Sequence, residues 1–452
     1  MSDNLKITVS GVRAVVGDTL TTELTSGFGK AFGTYLKSGS VVVGTDSRTS
    51  NEMVKTAVMT GLLATGCDVI DIGIAPTPTV LLATKKYKAK GGVVVTASHN
   101  PSEWNGLKFA DESGSCLNET EVKKLIAIYR RKAFKEVPWS QIGTSRCRED
   151  AVELHINQVA RHIDVNLIRR RGLRVAVDTC NGAACVISRK FLERLGCRVW
   201  ILNETADGRF AHDPEPTSKN LSGLSEFVKK KKADIGFAQD PDADRLAIVS
   251  EKGKAIGEEN TLALALKHLL SKRRKSVVTV NLSTSRMIDD ICGLAGAKLF
   301  RSRIGEANVV DMMRKNKSVI GGEGNGGLIY PKINFCRDSI AAMGVILEYL
   351  ASSGNRVSDL VSGVKQYAMI KKKMNCSEKD IDKVLLKIKK AFSYSNKINT
   401  LDGVKVEWAD KWLHARRSNT EPIVRIMIEA ETVFEAEDVY NMAKNSLGPL
   451  WG

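Results

Sequence analysis

Short apolar segments rich in β-branched residues alternate along the chain with longer segments whose apolar residues have helical spacing. One order of elements, namely strand, polar turn, helix, glycine-led strand, helix and strand, occurs three times. The predicted strands are at residues 41–44, 66–70 and 92–95, at 174–177, 196–200 and 234–237, and at 277–280, 296–300 and 318–321. Strands that alternate with helices form βαβ units, so we predict three repeated α/β domains with mixed sheets.

The last part of the chain, beyond about residue 369, departs from this repeat. It contains a lysine-rich helical segment, a pair of strands near 404–406 and 423–426, and a final helix near 436–446. We expect a smaller α+β C-terminal domain there, joined through a hinge near residues 362–374. The predicted domains, arranged around a central cleft, are 1–148, 149–251, 252–368 and 369–452.

The composition is that of a folded globular protein, with 43% hydrophobic and 26% charged residues. Lysine and arginine exceed aspartate and glutamate by 68 to 51, which gives a formal net charge of +17. Such a positive field favours anionic partners. The basic runs, for example residues 229–232 and 272–275, lack interleaved aromatic residues and a recognition motif. We therefore expect phosphorylated small molecules as partners and no nucleic acid.

No apolar run approaches the ~20 residues of a membrane helix, and the first residues lack the layout of a signal peptide. We expect a cytoplasmic protein without a membrane partner. The nine cysteines are scattered and form no CxxC pair. This pattern is typical of reduced thiols used as small core residues, and it argues against a disulfide or zinc framework.

Polar loops follow the third strand of each repeat. In open α/β sheets, ligands bind beyond the carboxyl ends of the strands, so these loops are the candidate functional sites. Residues 96–101 offer a hydroxyl, residues 239–245 offer three carboxylates, and residues 322–327 offer a carboxylate and an amide among glycines. In the C-terminal domain, residues 416–422 are rich in hydrogen-bond donors and are suited to hold a phosphate.

Three aspartates at alternate positions, Asp240, Asp242 and Asp244, form a compact acidic loop. Their oxygens can converge on one small hard cation, and Mg²⁺ suits such a ligand set. A calcium EF-hand fits poorly, because residues 246–249 resume as a strand where that loop would continue. An exposed acidic turn is the alternative. The apolar flanks on both sides favour the metal site.

Ser98 is ambiguous on its own, because a lone serine most often caps a turn or a helix. A Ser-His-Asp hydrolase would need a motif such as GxSxG, and His99 is adjacent in sequence, which predicts a poor position for a base. The position of Ser98 in the repeat is equivalent to those of Asp240 and Glu323. If the three strand ends face one cleft, a nucleophile, a metal site and an acceptor for sugar hydroxyls lie side by side.

The four polar loops resemble, in order and one per domain, the four signature loops of the α-D-phosphohexomutases. Shorter matching segments are residues 10–13, 44–48, 178–182 and 214–216. The resemblance implies that Ser98 carries a phosphoryl group, and that Ser98, Asp240, Asp242 and Asp244 hold one Mg²⁺ per subunit. It further implies that Glu323 and Asn325 bind sugar hydroxyls. The residues it implies for the non-reacting phosphate are Arg416, Ser418, Asn419 and Thr420.

The resemblance also implies that the phosphoserine site is lined by Arg13, His99, Lys108 and Arg245. Of these, Lys108 is the candidate for assisting proton transfer. Some members of the family end the sugar loop in a histidine that can act in acid/base work, whereas this chain has Gly327. His212 and His414 are the possible substitutes, although a structural role is favoured for each.

The implied activity is transfer of a phosphoryl group between the 6- and 1-positions of a hexose phosphate by a monomer or homodimer, with a bisphosphorylated sugar as intermediate and activator. Residues 322–327 look more like those of phosphoglucosamine mutases and their archaeal-type relatives, so glucosamine phosphate is the expected substrate. Phosphoglucomutase/phosphomannomutase activity is the alternative. A magnesium-dependent phosphatase and a non-catalytic regulator that binds phosphosugars are the rival classes.

Overall fold

The computed structural model describes residues 5–8, 11–273, 275–393, 397–418 and 423–448. The N-terminal part of the chain forms a seven-stranded sheet. Its strands are β1 (Leu5–Thr8), β2 (Gly11–Val15), β3 (Gly39–Thr45), β4 (Cys67–Ile74), β5 (Gly91–Val95), β6 (Trp104–Asp111) and β7 (Ser145–Cys147). Its helices are α1 (Thr22–Leu36), α2 (Asn51–Leu63), α3 (Thr77–Lys86) and α4 (Glu119–Arg130). The order is β1-β2-β6-β5-β3-β4-β7.

The second sheet has four strands in the order β11-β10-β8-β9, with ranges β8 (Arg174–Asp178), β9 (Arg198–Leu202), β10 (Ile235–Gln239) and β11 (Leu246–Ser250). The helices of this region are α5 (Ala151–Ala160), α6 (Val165–Arg171), α7 (Ser188–Arg194) and α8 (Ser222–Lys231).

The third sheet also has four strands, in the order β13-β12-β14-β15, with ranges β12 (Val277–Asn281), β13 (Lys298–Ser302), β14 (Ile320–Glu323) and β15 (Gly327–Ile329). The helices of this region are α9 (Glu258–Ser271), α10 (Met287–Ala295), α11 (Glu306–Asn316), α12 (Ser339–Ser353) and α13 (Val357–Ser362).

The structure confirms the threefold repeat. In each of these sheets the first strand of the repeat lies between the second and third strands and runs parallel to both. These first strands are β3, β8 and β12. An antiparallel strand, β6, β11 or β15, then pairs with the third strand of each repeat. The sheets are therefore mixed, and the carboxyl ends of β5, β10 and β14 lead into the three polar loops.

The C-terminal sheet is antiparallel in the order β16-β20-β19-β18-β17, with ranges β16 (Ala368–Asn375), β17 (Lys397–Asn399), β18 (Val404–Glu407), β19 (Trp412–Arg417) and β20 (Ile423–Ala430). The helices are α14 (Ile381–Ala391) and α15 (Val433–Leu447). The two strands expected as a pair are not direct neighbours, because β19 lies between them. Residues 412–415 are buried in succession and show no alternation. The segment predicted as a hinge, residues 362–374, largely belongs to β16. Only residues 363–367 lie between α13 (Val357–Ser362) and β16.

The apolar cores show which sheets are joined. The second and third sheets share one core, in which α12 is buried along most of its length. The C-terminal sheet and its two helices have a separate core, reached through the short segment 363–367 between α13 and β16. Among the described residues, no helix is long and apolar enough to cross a membrane.

Candidate active site

Ser98 lies in a tight loop directly after β5. Its φ of 54° falls in the left-handed region, which is uncommon for a residue other than glycine. The backbone N–H of Ser98 donates to Oγ1 of Thr96 at 2.8 Å, and that hydroxyl donates to Oδ2 of Asp46 at 2.7 Å. The surrounding hydrogen bonds therefore hold Ser98 in a backbone conformation that is costly by itself.

Arg48 fixes the same loop. Its guanidinium donates to four backbone carbonyl oxygens, those of Ser98, Asn100, Pro101 and Trp104. Its Nε forms a buried ion pair with Asp46 at 3.0 Å. The sequence identifies Arg48 only as part of a matching segment, because nothing in a sequence shows which distant carbonyls an arginine will reach.

Asp240, Asp242 and Asp244 are fully buried, and one carboxylate oxygen of each lies within 4.8 Å of those of the other two. The loop that carries them is closed by a hydrogen bond from the N–H of Ala243 to the carbonyl of Asp240. The Ser98 hydroxyl lies 3.4 Å from Oδ2 of Asp240. The two loops that the sequence singled out are thus in contact.

In both Asp242 and Asp244, one carboxylate oxygen, Oδ2, accepts hydrogen bonds from other side chains. Oδ2 of Asp242 accepts from Oγ1 of Thr77 and from Nζ of Lys108, both at 2.6 Å. Oδ2 of Asp244 accepts from Lys108 at 3.3 Å and from Nη2 of Arg337 at 2.5 Å. The Oδ1 atoms of both aspartates are buried and have no hydrogen-bond partner among the described residues. Oδ1 of Asp244 lies 3.8 Å from Nε of Arg245, beyond hydrogen-bond distance. This arrangement of oriented hard oxygens without hydrogen-bond donors fits a divalent cation such as Mg²⁺.

The charges in this cluster shift one another's protonation equilibria. Burial, followed by the neighbouring charges of Asp244 and Asp242, raises the pKa of Asp240 well above its usual value. Burial alone would lower the pKa of Lys108, but Asp242 and Asp244 outweigh it and raise that pKa. Burial lowers the pKa of Arg13 to about 10, so its guanidinium remains charged at neutral pH.

Three of the residues expected around Ser98 contact Ser98 itself, its loop or Asp240. Nη1 of Arg13 donates to Oδ1 of Asn100 in the serine loop at 2.9 Å. The backbone N–H of Arg245 donates to Oδ1 of Asp240 at 3.1 Å. His99 is better placed than its adjacency predicts, since its Nδ1 lies 3.3 Å from the Ser98 hydroxyl oxygen. Burial and the nearby Arg245 and Arg13 lower the pKa of His99 well below 6.5, so its ring is neutral at pH 7.

The candidate sugar loop contains Glu323 at the end of β14. Its Oε1 accepts from Nδ2 of Asn281 at 2.8 Å and from the N–H of Gly305 at 3.0 Å, and its Oε2 accepts from Nη1 of Arg337 at 2.9 Å. Oδ1 of Asn325 is buried and has no hydrogen-bond partner in the described part of the chain. The loop therefore presents one firmly held carboxylate and one amide oxygen that remains available to a ligand.

The candidate phosphate loop follows β19. Arg416 is half-buried, and burial lowers its pKa, whereas the negative charges of Asp402 and, to a smaller extent, Glu323 act in the opposite direction. Ser418 is buried, and its hydroxyl accepts from Nε of Arg425 at 3.4 Å. Asn419 and Thr420 lie outside the described residues. Arg416 and the sugar loop thus face each other closely enough for their charges to interact.

The two histidines considered as substitutes are both held by protein groups. Nε2 of His212 lies 2.9 Å from Asp178, and this contact raises the pKa of His212. Nδ1 of His414 lies 2.8 Å from the hydroxyl of Ser283, and its Nε2 lies 2.6 Å from the carbonyl of Asp402. Burial lowers the pKa of His414 to about 4. Both rings therefore serve as structural contacts.

Comparison with known proteins adds an independent line of evidence. The chain matches the four domain families of phosphoglucomutase/phosphomannomutase: alpha/beta/alpha domain I over residues 4–136, alpha/beta/alpha domain II over 153–253, alpha/beta/alpha domain III over 258–367, and the C-terminal domain over 370–445.

Relatives align with nearly the whole chain. A phosphoglucomutase/phosphomannomutase of Thermococcus kodakarensis is 39% identical over 95% of both chains, and a probable phosphoglucosamine mutase of Pyrococcus abyssi is 38% identical over 96% of both chains. A solved structure of a phosphoglucomutase/phosphomannomutase family protein from Burkholderia thailandensis has a TM-score of 0.87 at 25% identity, and covers 97% of this chain and 96% of that chain. With all four domain families matched in order and relatives of this similarity, the chain belongs to the phosphoglucomutase/phosphomannomutase family of phosphohexomutases, which are isomerases.

Proposed function

We propose that the protein moves a phosphoryl group between the 6- and 1-positions of a hexose phosphate through phosphorylated Ser98 and a bisphosphorylated sugar. The observation that carries this proposal is the approach of the Ser98 hydroxyl to Asp240, at 3.4 Å, beside a buried cluster of three carboxylates. Phosphoryl transfer depends mainly on positioning and on neutralisation of charge. A serine held by its loop next to a cation site meets both requirements.

Asp240, Asp242, Asp244 and an oxygen on Ser98 would hold the Mg²⁺. When bound, the ion would supply positive charge to the phosphoryl oxygens. Arg245 and Arg13 add permanent positive charge from the protein itself. Nζ of Lys108 stays protonated because Asp242 and Asp244 raise its pKa, so it adds a further positive charge and a hydrogen-bond donor beside the candidate metal site.

A proton acceptor is also needed beside Ser98. His99 is the candidate, because its Nδ1 lies 3.3 Å from the Ser98 oxygen and its ring is neutral at pH 7. His99 would take the proton that the attacking hydroxyl loses and return it to the oxygen whose bond to phosphorus breaks, while Lys108 would assist this transfer with its charge. No histidine would then be needed at position 327.

The reaction requires a relay, because the two reacting oxygens of one hexose lie too far apart for direct transfer. Phosphorylated Ser98 gives its phosphoryl group to the free hydroxyl of the sugar. The bisphosphorylated sugar then turns end over end and returns its other phosphoryl group to Ser98. One phosphate-holding loop, at Arg416, Ser418, Asn419 and Thr420, serves both orientations of the sugar. Glu323 and Asn325 would bind the hydroxyls between the two phosphates.

Glucosamine 6-phosphate is the proposed substrate and glucosamine 1-phosphate the proposed product. The resemblance of residues 322–327 to phosphoglucosamine mutases supports this choice, as do several relatives that carry the name probable phosphoglucosamine mutase. Activity on glucose and mannose phosphates is the second candidate, because the relative at 39% identity is named phosphoglucomutase/phosphomannomutase.

The test is a parallel mutase assay on the phosphates of glucosamine, glucose and mannose, with and without a bisphosphorylated sugar as activator. We expect activator-dependent interconversion, with the highest kcat/KM on glucosamine phosphate. The second candidate would be favoured if kcat/KM on glucosamine phosphate were more than tenfold lower than kcat/KM on glucose or mannose phosphate. A tenfold ratio corresponds to ~1.4 kcal/mol in transition-state binding. Release of inorganic phosphate without isomerisation would indicate a phosphatase, and binding without turnover would indicate a regulator.

A further inference from the structure

Arg337 lies between two of the candidate loops, on the segment that leads into α12. Its Nη2 donates to Oδ2 of Asp244 at 2.5 Å, and its Nη1 donates to Oε2 of Glu323 at 2.9 Å. One side chain thus contacts both the candidate metal loop and the candidate sugar loop. The residue is 8% exposed, so these two contacts are made in a buried environment.

Further contacts fix the position of Arg337. Its backbone N–H donates to Oε1 of Glu306 at 3.0 Å, and its Nε lies 3.5 Å from Oε2 of the same residue. The next residue, Asp338, caps α12 by accepting from the N–H groups of Ile340 and Ala341. A planar guanidinium held in this way keeps a fixed separation between the two carboxylates that it contacts.

The sugar loop itself leaves room for this arginine. A Cβ atom added to Gly327 would lie 2.3 Å from Cδ of Arg337 and 2.9 Å from its Cγ. Any larger residue at position 327 would therefore have to displace the Arg337 side chain. Gly327 and Arg337 fit each other, so the glycine is part of the arrangement that brings the guanidinium to Glu323.

We propose that Arg337 is a positioning residue that couples the metal loop to the sugar loop, so that binding of Mg²⁺ and binding of the hexose phosphate strengthen each other. This inference rests on the proposed function. An ion held at Asp244 would further restrain the carboxylate that Arg337 contacts, and the guanidinium would transmit that restraint to Glu323, which would bind the sugar. By linkage, the sugar must strengthen ion binding by the same factor.

Two neighbouring residues provide matched controls, because each contacts only one of the two loops. Thr77 donates to Asp242 in the metal loop, and Asn281 donates to Glu323 in the sugar loop. Thr77→Val should weaken ion binding, and Asn281→Ala should weaken sugar binding. Neither should change the factor by which one ligand strengthens the other, because neither residue connects the loops.

The experiment measures the dissociation constant of Mg²⁺ by calorimetry, with and without saturating glucosamine 6-phosphate, on the full chain with Ser98 unphosphorylated and no activator present. This parent keeps the Ser98 oxygen as a ligand and has no phosphoryl group to transfer. The ratio of the two constants is the coupling factor. In this parent we expect a factor of at least ~5, in the usual range for coupled sites. Arg337→Lys, which keeps the charge but cannot contact both carboxylates in the same plane, should reduce the factor to about 1, and Arg337→Ala should do the same.

Thermal melting checks that each variant is folded. Arg337→Ala leaves the carboxylates of Asp244, Glu323 and Glu306 short of a partner and is the variant at risk of misfolding, so Arg337→Lys provides the decisive measurement. An undiminished coupling factor in folded Arg337→Lys would overturn the inference, as would a factor of 1 in the parent. A parent that binds Mg²⁺ but no hexose phosphate would instead contradict the proposed function itself, and with it the coupling.

Discussion

The side-chain hydroxyl of Ser98 lies 3.4 Å from Oδ2 of Asp240, a residue 142 positions further along the chain. This contact joins loops from the first and second sheets, and it gives a buried carboxylate cluster access to a nucleophilic oxygen. Ser98 is the most direct test of the proposed reaction, since its hydroxyl would form and break the bond to phosphorus.

We predict that Ser98→Ala reduces turnover to near background and leaves thermal stability unchanged, because a methyl group cannot act as a nucleophile. Intact-mass analysis should detect a phosphate-sized increment in the wild-type protein and none in the variant. Ser102→Ala, at an exposed position in the same loop, is the control and should retain full activity. If Ser98→Ala kept a large fraction of the wild-type rate, the phosphoserine role would be wrong.

The carboxylate cluster leads to a second prediction. Asp242→Asn should lower the rate by at least ~100-fold, because it removes a ligand charge where the charge of the phosphoryl group must be neutralised. Treatment with EDTA should abolish activity, and added Mg²⁺ should restore it. Glu103→Gln, which removes an exposed carboxylate near the serine loop, should have no effect. Unchanged rates in metal-free buffer would contradict the assignment of the metal site.

Arg48 allows the serine loop to be tested separately from its chemistry. Arg48→Ala removes hydrogen bonds to four carbonyls and the buried partner of Asp46. We expect a loss of about 3 kcal/mol in the free energy of unfolding and a large loss of kcat, because the strained backbone of Ser98 loses its support. Urea unfolding and steady-state kinetics measure the two effects. Arg131→Ala, at an exposed position, should change neither.

The three strands of each repeat and the serine and metal loops could be predicted from the sequence because they depend on local patterns. A β-branched segment forms a strand, and the loops that follow the carboxyl ends of such strands are the usual ligand-binding sites of α/β sheets. β19 was missed because its residues are buried in succession, so no alternation marks it. Thr77, Arg48 and Arg337 were missed for another reason. Each is a single polar residue whose partners the sequence does not reveal. Thr77 and Arg337 reach the metal loop of another sheet, and Arg48 reaches carbonyls about 50 positions further along its own region.

His99 illustrates a different limit. Adjacency to Ser98 predicts that its ring points away from the hydroxyl, as it would in an extended or helical segment. The left-handed φ of 54° at Ser98 changes the direction of the chain, and Nδ1 then comes within 3.3 Å of the hydroxyl oxygen. A backbone conformation that a sequence does not specify thus decides how close two neighbouring side chains lie.

Arg416 provides a prediction about binding. Because it would contact the phosphate that does not react, Arg416→Ala should raise KM by ~10-fold or more and change kcat much less. Arg417→Ala is the matched control, since the neighbouring side chain is exposed and pairs with Asp382 at 3.3 Å. If Arg416→Ala lowered kcat with KM unchanged, Arg416 would act on the reacting phosphoryl group instead.

The last prediction concerns stability in acid and depends on Glu348 in α12. This carboxylate is buried between the second and third sheets, where it accepts from Nε2 of His268 at 3.0 Å, from Nζ of Lys272 at 2.7 Å and from the N–H of Asp164 at 2.9 Å. Burial alone would raise the pKa of Glu348, but these contacts outweigh it and lower the pKa from 4.5 to about 2. The folded state therefore favours the ionised form.

A lowered pKa in the folded state stabilises the protein above the unfolded value, near pH 4.5, and this stabilisation is lost as the pH falls towards 2. The shift corresponds to about 3 kcal/mol at neutral pH. We expect Glu348→Gln to destabilise the protein by this amount at pH 6 and by only about 1 kcal/mol at pH 3, since the wild-type carboxylate is then largely protonated in the unfolded chain. Urea unfolding at both values measures the difference. Glu437→Gln, at an exposed position in α15, is the control and should show no such pH dependence. If Glu348→Gln lowered the free energy of unfolding equally at pH 6 and pH 3, ionisation of Glu348 would not stabilise the fold.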